Sequence, residues 1–277
     1  VTALIKSKKS LGQHFLTDHL IARQIIESVS PRAEDVIIEI GPGTGALTAM
    51  LARRSGHVVA IEIDASLVEE LRRTVSVRNL SIVNADVLKL DWPQTIEDAR
   101  SRIPGAALAR ARVVANLPYY ISTPIIERLL SPGRGLFDMT LMLQREVADR
   151  IVSEPGNRAY GYLSVMVQYY ALASKLFDVP PSAFTPSPKV WSAVIRLVVR
   201  EGPAVEVADE AMFFALVRAA FAQRRKTIRN NLKAAATALE FRGPVESALE
   251  AASIDPRRRA ETLSLIEFAE LFKQLNE

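Results

Sequence analysis

The sequence predicts an α/β fold: a doubly wound, seven-stranded sheet over residues 1–202, followed by a small all-helical domain over 203–277. Three observations carry that expectation. An apolar run, Val36 to Ile40, breaks abruptly into glycines at 41, 43 and 45 before a helical pattern opens at Ala46. Strand and helix patterns then alternate with short connections as far as Val199. Beyond Glu201-Gly202-Pro203 only helical patterns remain.

The first ten residues carry Lys6, Lys8 and Lys9 and no apolar segment, so a secretory signal is not expected; Val1 in place of a starting Met suggests trimming. This basic arm runs into Phe15 and Leu16, whose apolar side chains predict that its end is docked. Thr17 or Asp18 then suits the N-cap of a helix with Leu20, Ile21, Ile25, Ile26 and Val29 on one face.

Val36 to Ile40 reads as a strand buried on both faces. Gly41, Gly43 and Gly45 let the chain turn tightly and bring a ligand close to peptide N–H groups. Such a strand, glycine loop and helix suit a nucleotide-like ligand. The spacing Gly41-x-Gly43-x-x-Ala46 also meets the loose dinucleotide fingerprint, so spacing alone leaves NAD open. Two acids lean away from it. Glu39 would repel a pyrophosphate and welcome a cationic or amino-acid-bearing ligand, and Glu62, ending the strand 58–63, stands where an acid grips a ribose diol.

Helices are expected at 46–54 and 66–75 and a strand at 80–83, which puts Asp86 and Val87 at the ligand-binding edge of the sheet. Residues 94–111 read as an inserted helix or surface excursion. A strand over 112–115 stops at Asn116-Leu117-Pro118-Tyr119, and Thr123-Pro124 opens the next helix. A strand at 139–143 and helices at 145–152 and 163–171 follow. Strands at 175–179 and 190–199 flank the proline-dense stretch 180–188, which cannot be helical. The tail patterns give helices at 209–222, 226–238, 244–251 and 264–275.

Composition excludes several chemistries. The 277 residues include no cysteine, so there is no disulfide, no thiolate metal site and no thiol of the kind that cytosine C5 methylation requires. The three histidines (His14, His19, His57) form no His-x-x-x-His pair, and no metal is expected. No apolar run approaches the roughly 20 residues that span a bilayer. A cytoplasmic monomer, away from membranes, is the expectation.

Asn116-Leu117-Pro118-Tyr119 is the sharpest motif. An exocyclic adenine amine is a poor nucleophile because its lone pair is delocalised into the ring. The Asn116 side-chain oxygen and the Leu117 carbonyl, held out by Pro118, can each accept one N6–H and favour a pyramidal nitrogen. Tyr119 offers a flat face for the base.

Taken together, Glu39-x-Gly-x-Gly-x-Gly45, Glu62, Asp86 and Asn116 to Tyr119 resemble an S-adenosyl-L-methionine-dependent adenine-N6 methyltransferase. Leu11-Gly-Gln-His-Phe-Leu16, Phe184-Thr-Pro-Ser-Pro-Lys-Val190 and Phe221-Ala-Gln-Arg-Arg-Lys-Thr227 narrow the resemblance to the KsgA (RsmA) family. Its members dimethylate two adjacent adenines in the 3′-terminal hairpin of small-subunit (16S) rRNA. The likeness spans residues 6 to 275 and implies a Rossmann-like class I methyltransferase fold with a helical C-terminal domain that docks on RNA.

It also implies roles by position. His14 and Leu16 would lie over the cofactor, Gly41 would face its methionine part, Glu62 its ribose hydroxyls, and Asp86 and Val87 its adenine, with Glu39, Gly43, Gly45 and Ile63 also in the cofactor site. Asn116 would serve both cofactor and target amine, Leu117 and Pro118 would complete the acceptor pair, and Tyr119 and Phe184 would sandwich a flipped base.

The tail is neutral over 203–277, yet Arg218, Arg224, Arg225, Lys226, Arg229 and Lys233 follow one another with no acid between them. Such segregation favours a phosphate-contacting ridge over a solvated face, with Arg225 and Arg229 one helical turn apart. Arg257, Arg258 and Arg259 would extend it, and Lys189 would add a contact from the first domain. The rival readings are an Erm-type methylase of large-subunit rRNA, a non-catalytic ribosome-assembly or transcription factor on the same scaffold, and an NAD-dependent oxidoreductase.

Overall fold

A computed structural model of the protein describes residues 13–105, 109–131, 133 and 135–276. Lys6, Lys8, Lys9 and the start of the Leu11–Leu16 motif lie outside the described residues. The chain forms two compact units, Val1–Ala148 with Ser174–Val199, and Asp149–Ala173 with Arg200–Glu277.

The first unit opens with a two-residue strand, β1 (Phe15–Leu16), and helix α1 (His19–Val29). The Asp18 carboxylate caps α1 by accepting from the N–H groups of Leu20 and Ile21, and the apolar face Ala22, Ile25, Ile26 and Val29 is buried. The alternation continues as β2 (Val36–Ile40), α2 (Thr48–Ala52), β3 (His57–Glu62), α3 (Ala65–Thr74), β4 (Leu80–Asn84), α4 (Trp92–Arg100), β5 (Ala111–Asn116), α5 (Ser122–Leu130), β6 (Leu136–Gln144) and α6 (Arg145–Ile151). Strands β7 (Ala171–Val179), β8 (Phe184–Thr185) and β9 (Ser192–Val199) follow.

Seven strands form one sheet in the order β4-β3-β2-β5-β6-β9-β7. The β4-β3-β2-β5-β6 pairs are parallel and β9 lies antiparallel to β6. Every residue of β2 and β3 is buried, as continuous apolar runs at the centre of a parallel sheet require. Two sequence expectations take a definite form. The arm docks as a strand, β1 pairing with β8 from the proline-dense stretch. The excursion at 94–111 begins as α4, capped by Asp91, and its residues 106–108 lie outside the described set.

At the N-terminal ends of the strands sits a buried ion cluster. The Arg112 guanidinium donates to both Asp138 oxygens (2.6 and 2.8 Å), to Asp35 Oδ2 (3.1 Å) and to the Val29 carbonyl (2.7 Å). Arg196 donates to Asp138 from a second side. The cluster ties the end of α1 to β5 and β6 and satisfies every carboxylate oxygen except Asp35 Oδ1 among the described residues.

The second unit contains α7 (Tyr162–Tyr170), α8 (Glu210–Ala220), α9 (Ile228–Ala235), α10 (Val245–Ala251) and α11 (Leu265–Asn276). Its extent differs from the expected division at residue 202, because 149–173 groups with the tail. The cause is packing: Tyr160, Val165 and Tyr169 are buried in one core with Phe213, Leu216, Phe268 and Leu271. Tyr169 and Tyr170 also donate to the Glu210 carboxylate, at 3.1 and 2.8 Å. No helix among the described residues is long and apolar enough to cross a membrane.

The Arg112 cluster generates the first prediction. Arg112→Met leaves Asp35 and Asp138 buried with their main counter-charge removed, which costs about 3–5 kcal/mol. Urea unfolding of the variant should show a loss of that size, and a change under about 1 kcal/mol would make the cluster energetically incidental.

Candidate active site

The strand order reverses between β2 and β5, the crevice where open α/β sheets bind ligands. Ile40 pairs with Ala115 in register, so the glycine loop and the Asn116 loop leave the sheet side by side. A Cβ added at Gly41 would lie 3.7 Å from the Asn116 carbonyl oxygen. A cavity opens there, between the two loops, the end of β3 and the docked arm.

Gly43 has φ +56°, and a Cβ there would stand 3.0 Å from the Phe15 ring, so both the turn and the seated arm require glycine. Gly45 has a different task. A Cβ there would meet Leu71 of α3 at 2.8 Å, and the residue packs the loop on α3 without lining the cavity.

Glu62 holds the loop from the other side, accepting from Gly43 N (3.3 Å) and Asp64 N (3.0 Å). Burial pushes its carboxyl above the usual range, and those two N–H groups oppose the rise. Glu39 is 2% exposed and its Oε2 has no hydrogen-bond partner among the described residues. Burial pushes this carboxyl up to about 7, with the Thr48 hydroxyl opposing the rise and the charge of Glu62 adding to it. Asp86 caps a short turn by accepting from Leu88 N (2.9 Å), and with Val87 and the exposed Ile63 it also lines the cavity.

Asn116 is oriented by the arm. Its Nδ2 donates to the His14 carbonyl at 3.1 Å, which assigns the amide and leaves Oδ1 as the acceptor. The Tyr119 hydroxyl is pinned to Ser192 Oγ at 2.6 Å. The His14 ring stacks on Tyr119, with centroids 5.7 Å apart, and its Nδ1 donates to the Pro186 carbonyl at 2.7 Å. His14, Leu16, Leu117 and Pro118 all line the cavity. Sequence reasoning missed the Asn116–His14 and Tyr119–Ser192 anchors, because partners so far apart along the chain leave no local signature.

Phe184 departs from expectation. It is 3% exposed, pairs with Leu16 across β1 and β8, and packs in the core with Met142 and Val194 instead of lining the cavity. The strand pairing turns its side chain inward, so Tyr119 lines the cavity without it.

The cavity's chemistry fits a cationic nucleoside. Glu39, Glu62 and Asp86 line it and, among the described residues, no Lys or Arg does, which is the wrong lining for a pyrophosphate. The unpartnered Glu39 oxygen is an acceptor awaiting a positive or N–H-bearing group. No cluster of His, Asp or Glu suited to a metal ion occurs among the described residues.

The expected basic ridge in the second unit is reshaped. Helix α9 starts at Ile228 with Thr227 as N-cap, so Arg224, Arg225 and Lys226 lie in the preceding turn and Arg225 and Arg229 do not share a helical ridge. All four cations are exposed, as is Lys189 of the first unit. Arg224 donates to the Arg158 carbonyl, Arg218 stands over the Tyr162 ring at 4.4 Å, and Lys233 pairs with Glu246. Arg257 pairs with Asp255 and Arg258 with Glu267, so those two spend their charge inside the unit.

A model of the family described as ribosomal RNA adenine dimethylase matches residues 4–276. A ribosomal RNA small subunit methyltransferase A of Anoxybacillus flavithermus is 48% identical over 270 residues, covering 97% of this chain and 90% of its own. A crystal structure of a dimethyladenosine transferase from Plasmodium falciparum superposes with a TM-score of 0.77 at 25% identity, covering 95% of this chain and 98% of that one. The 23S rRNA methyltransferase ErmE gives 0.70 at 27% identity, covering 95% of this chain and all of that one. With a family model matched over nearly its whole length, the chain belongs to the ribosomal RNA adenine dimethylases.

Proposed function

We propose that the protein transfers methyl groups to the N6 amines of two adjacent adenines in the 3′-terminal hairpin of small-subunit rRNA, giving N6,N6-dimethyladenosine. The observation that carries the chemistry is the Asn116 amide, turned by the His14 carbonyl so that Oδ1 is free to accept from an amine at the cavity. Family and fold imply S-adenosylmethionine, which when bound supplies an electrophilic methyl group. Glu39 and the loop at Gly41 and Gly43 suit its methionine part, Glu62 and Ile63 its ribose, and Asp86 and Val87 its base, under the arm residues His14 and Leu16.

The protein's own work is orientation. Asn116 Oδ1 and the Leu117 carbonyl each accept one N6–H, which draws the nitrogen towards a pyramidal geometry. Tyr119 supports the base, its ring held by Ser192. No side-chain base is needed, because the amine's surplus proton can pass to water after transfer. In the second unit, the exposed Arg224, Arg225, Lys226 and Arg229 suit phosphates of the folded subunit, with Lys189 adding charge from the first. The small subunit is favoured over the large by the 48% identity to a small-subunit enzyme against 27% to ErmE. Primer extension on RNA from free small and large subunits of unmethylated cells, after incubation with protein and S-adenosylmethionine, should stop at the paired adenines of the small subunit alone.

Asn116→Ala should lower single-turnover methylation by about 100-fold or more while leaving subunit binding within a few-fold of wild type. Near wild-type turnover at saturating RNA would reduce Asn116 to a turn residue.

The Glu39 carboxyl gives a pH signature. Its folded value of about 7 lies above the ordinary 4.5, so the ligand-free fold loses stability from this group as pH rises between those values. A cationic ligand gains in the opposite sense, since it prefers ionised Glu39. S-adenosylmethionine affinity, measured calorimetrically, should therefore rise by about tenfold from pH 5.5 to 7.5. Glu39→Gln should flatten the profile, and an equally steep profile in that variant would move the titration elsewhere.

If the basic turn and α9 neutralise about four phosphates, log affinity for the subunit should fall with log salt at a slope of roughly −3 to −4. The double change Arg225→Ala and Arg229→Ala should flatten it by about 1–2 units without moving cofactor affinity. An unchanged slope would shift the docking surface to the first unit.

A further inference from the structure

We propose that Trp191 is a stacking platform for a nucleotide that flanks the target adenine, set at the C-terminal ends of the parallel strands with only β6 between its strand and that of Asn116. The proposal rests on the RNA-methylating function above and names a contact surface outside the cavity itself. Trp191 is 44% exposed, whereas Trp92 is fully buried, so this indole is the one solvent meets. Its neighbour Val190 is also exposed, and so is Tyr120 at the cavity lip.

The position is rigid. Arg145 N donates to the Trp191 carbonyl at 2.9 Å, continuing the β6–β9 ladder one step beyond the Gln144–Ser192 pair. Trp191 therefore sits at the C-terminal end of β6, the end of the sheet where Asn116 leaves β5. With only β6 between β5 and β9, the two outer strands run roughly 10 Å apart. Tyr119 bridges that gap, its hydroxyl fixed to Ser192, the residue after Trp191.

The surrounding charge selects the occupant. The Arg145 guanidinium stands over the indole, 5.7 Å from its centroid, and Lys189 is exposed two residues before it. Cations around an aromatic face suit a base with its phosphate better than an apolar protein surface. A need for such a face arises from the chemistry: an adenine drawn into the cavity leaves its neighbour in the strand without a stacking partner. A flat indole across β6 from the strand that leads to Tyr119 supplies the replacement.

The test uses the full-length protein, its variants Trp191→Ala and Trp191→Phe, an oligoadenylate and free small subunits. Oligoadenylate should quench the emission of the wild type by stacking on Trp191, and should leave the residual Trp92 emission of Trp191→Phe unchanged. On subunits, Trp191→Ala should lower kcat/KM by roughly 5- to 100-fold, the worth of one stacked base, with Trp191→Phe retaining most of it. S-adenosylmethionine affinity should be the same in all three. Subunits methylated normally by Trp191→Ala, together with unquenched wild-type emission, would overturn the platform and leave the function standing. A wild type that methylates no small subunit would overturn both.

Discussion

The in-register parallel pairing of β2 with β5 is the constraint on which the candidate site depends. Apart from Arg112 and Glu39 it is made of apolar residues, buried with them in the centre of the sheet. Because Ile40 lies opposite Ala115, the loops that follow emerge at one level and the Asn116 carbonyl comes within van der Waals reach of Gly41. A slip of one residue would turn Glu39 and Asn116 to the opposite faces and disperse the acceptors. Hydrophobic packing thus sets the position of polar groups that do little to stabilise the fold.

The two ends of those strands treat buried charge in opposite ways. At the N-terminal end, Arg112 is enclosed by two aspartates and two backbone carbonyls, and the cluster is almost fully hydrogen-bonded. At the C-terminal end, Glu39 is as deeply buried and keeps an oxygen without a hydrogen-bond partner among the described residues. A satisfied buried charge fixes one arrangement of the chain, while an unsatisfied one stores a preference for whatever completes it. The difference lies in neighbours: guanidinium groups face Asp138, whereas Glu39 has only a neutral hydroxyl, Thr48, and a second carboxyl, Glu62.

Most of this architecture was legible in the sequence where a signal is local and periodic. The apolar run of β2, the glycine loop, the Asp18 cap and the tail helices each declare themselves within a few residues. What was not legible depends on distant partners. The arm's pairing with Phe184–Thr185 turned an expected base-stacking ring into core, since β1 and β8 are separated by most of the first unit. The helical pattern opens at 226, whereas Thr227 caps Asn230 N, so α9 starts only at Ile228. Residues 149–173 carry ordinary helical patterns, and nothing local says which core their aromatic side chains will join.

That last feature bears on how the chain is made. The helical unit is discontinuous: the chain leaves the sheet unit after Ala148, returns at Ser174 and leaves again after Val199. Neither unit is therefore complete in the order of synthesis until long after it has begun. The sheet unit must wait for β9, which pairs with β6 across the intervening segment. Through that interval Tyr160, Val165 and Tyr169 have emerged without the residues of α8 and α11 that will bury them. A gene divided at the compositional break near residue 202 would share out one hydrophobic core between two fragments, so the boundary most visible in the sequence is not one at which the protein can be cut.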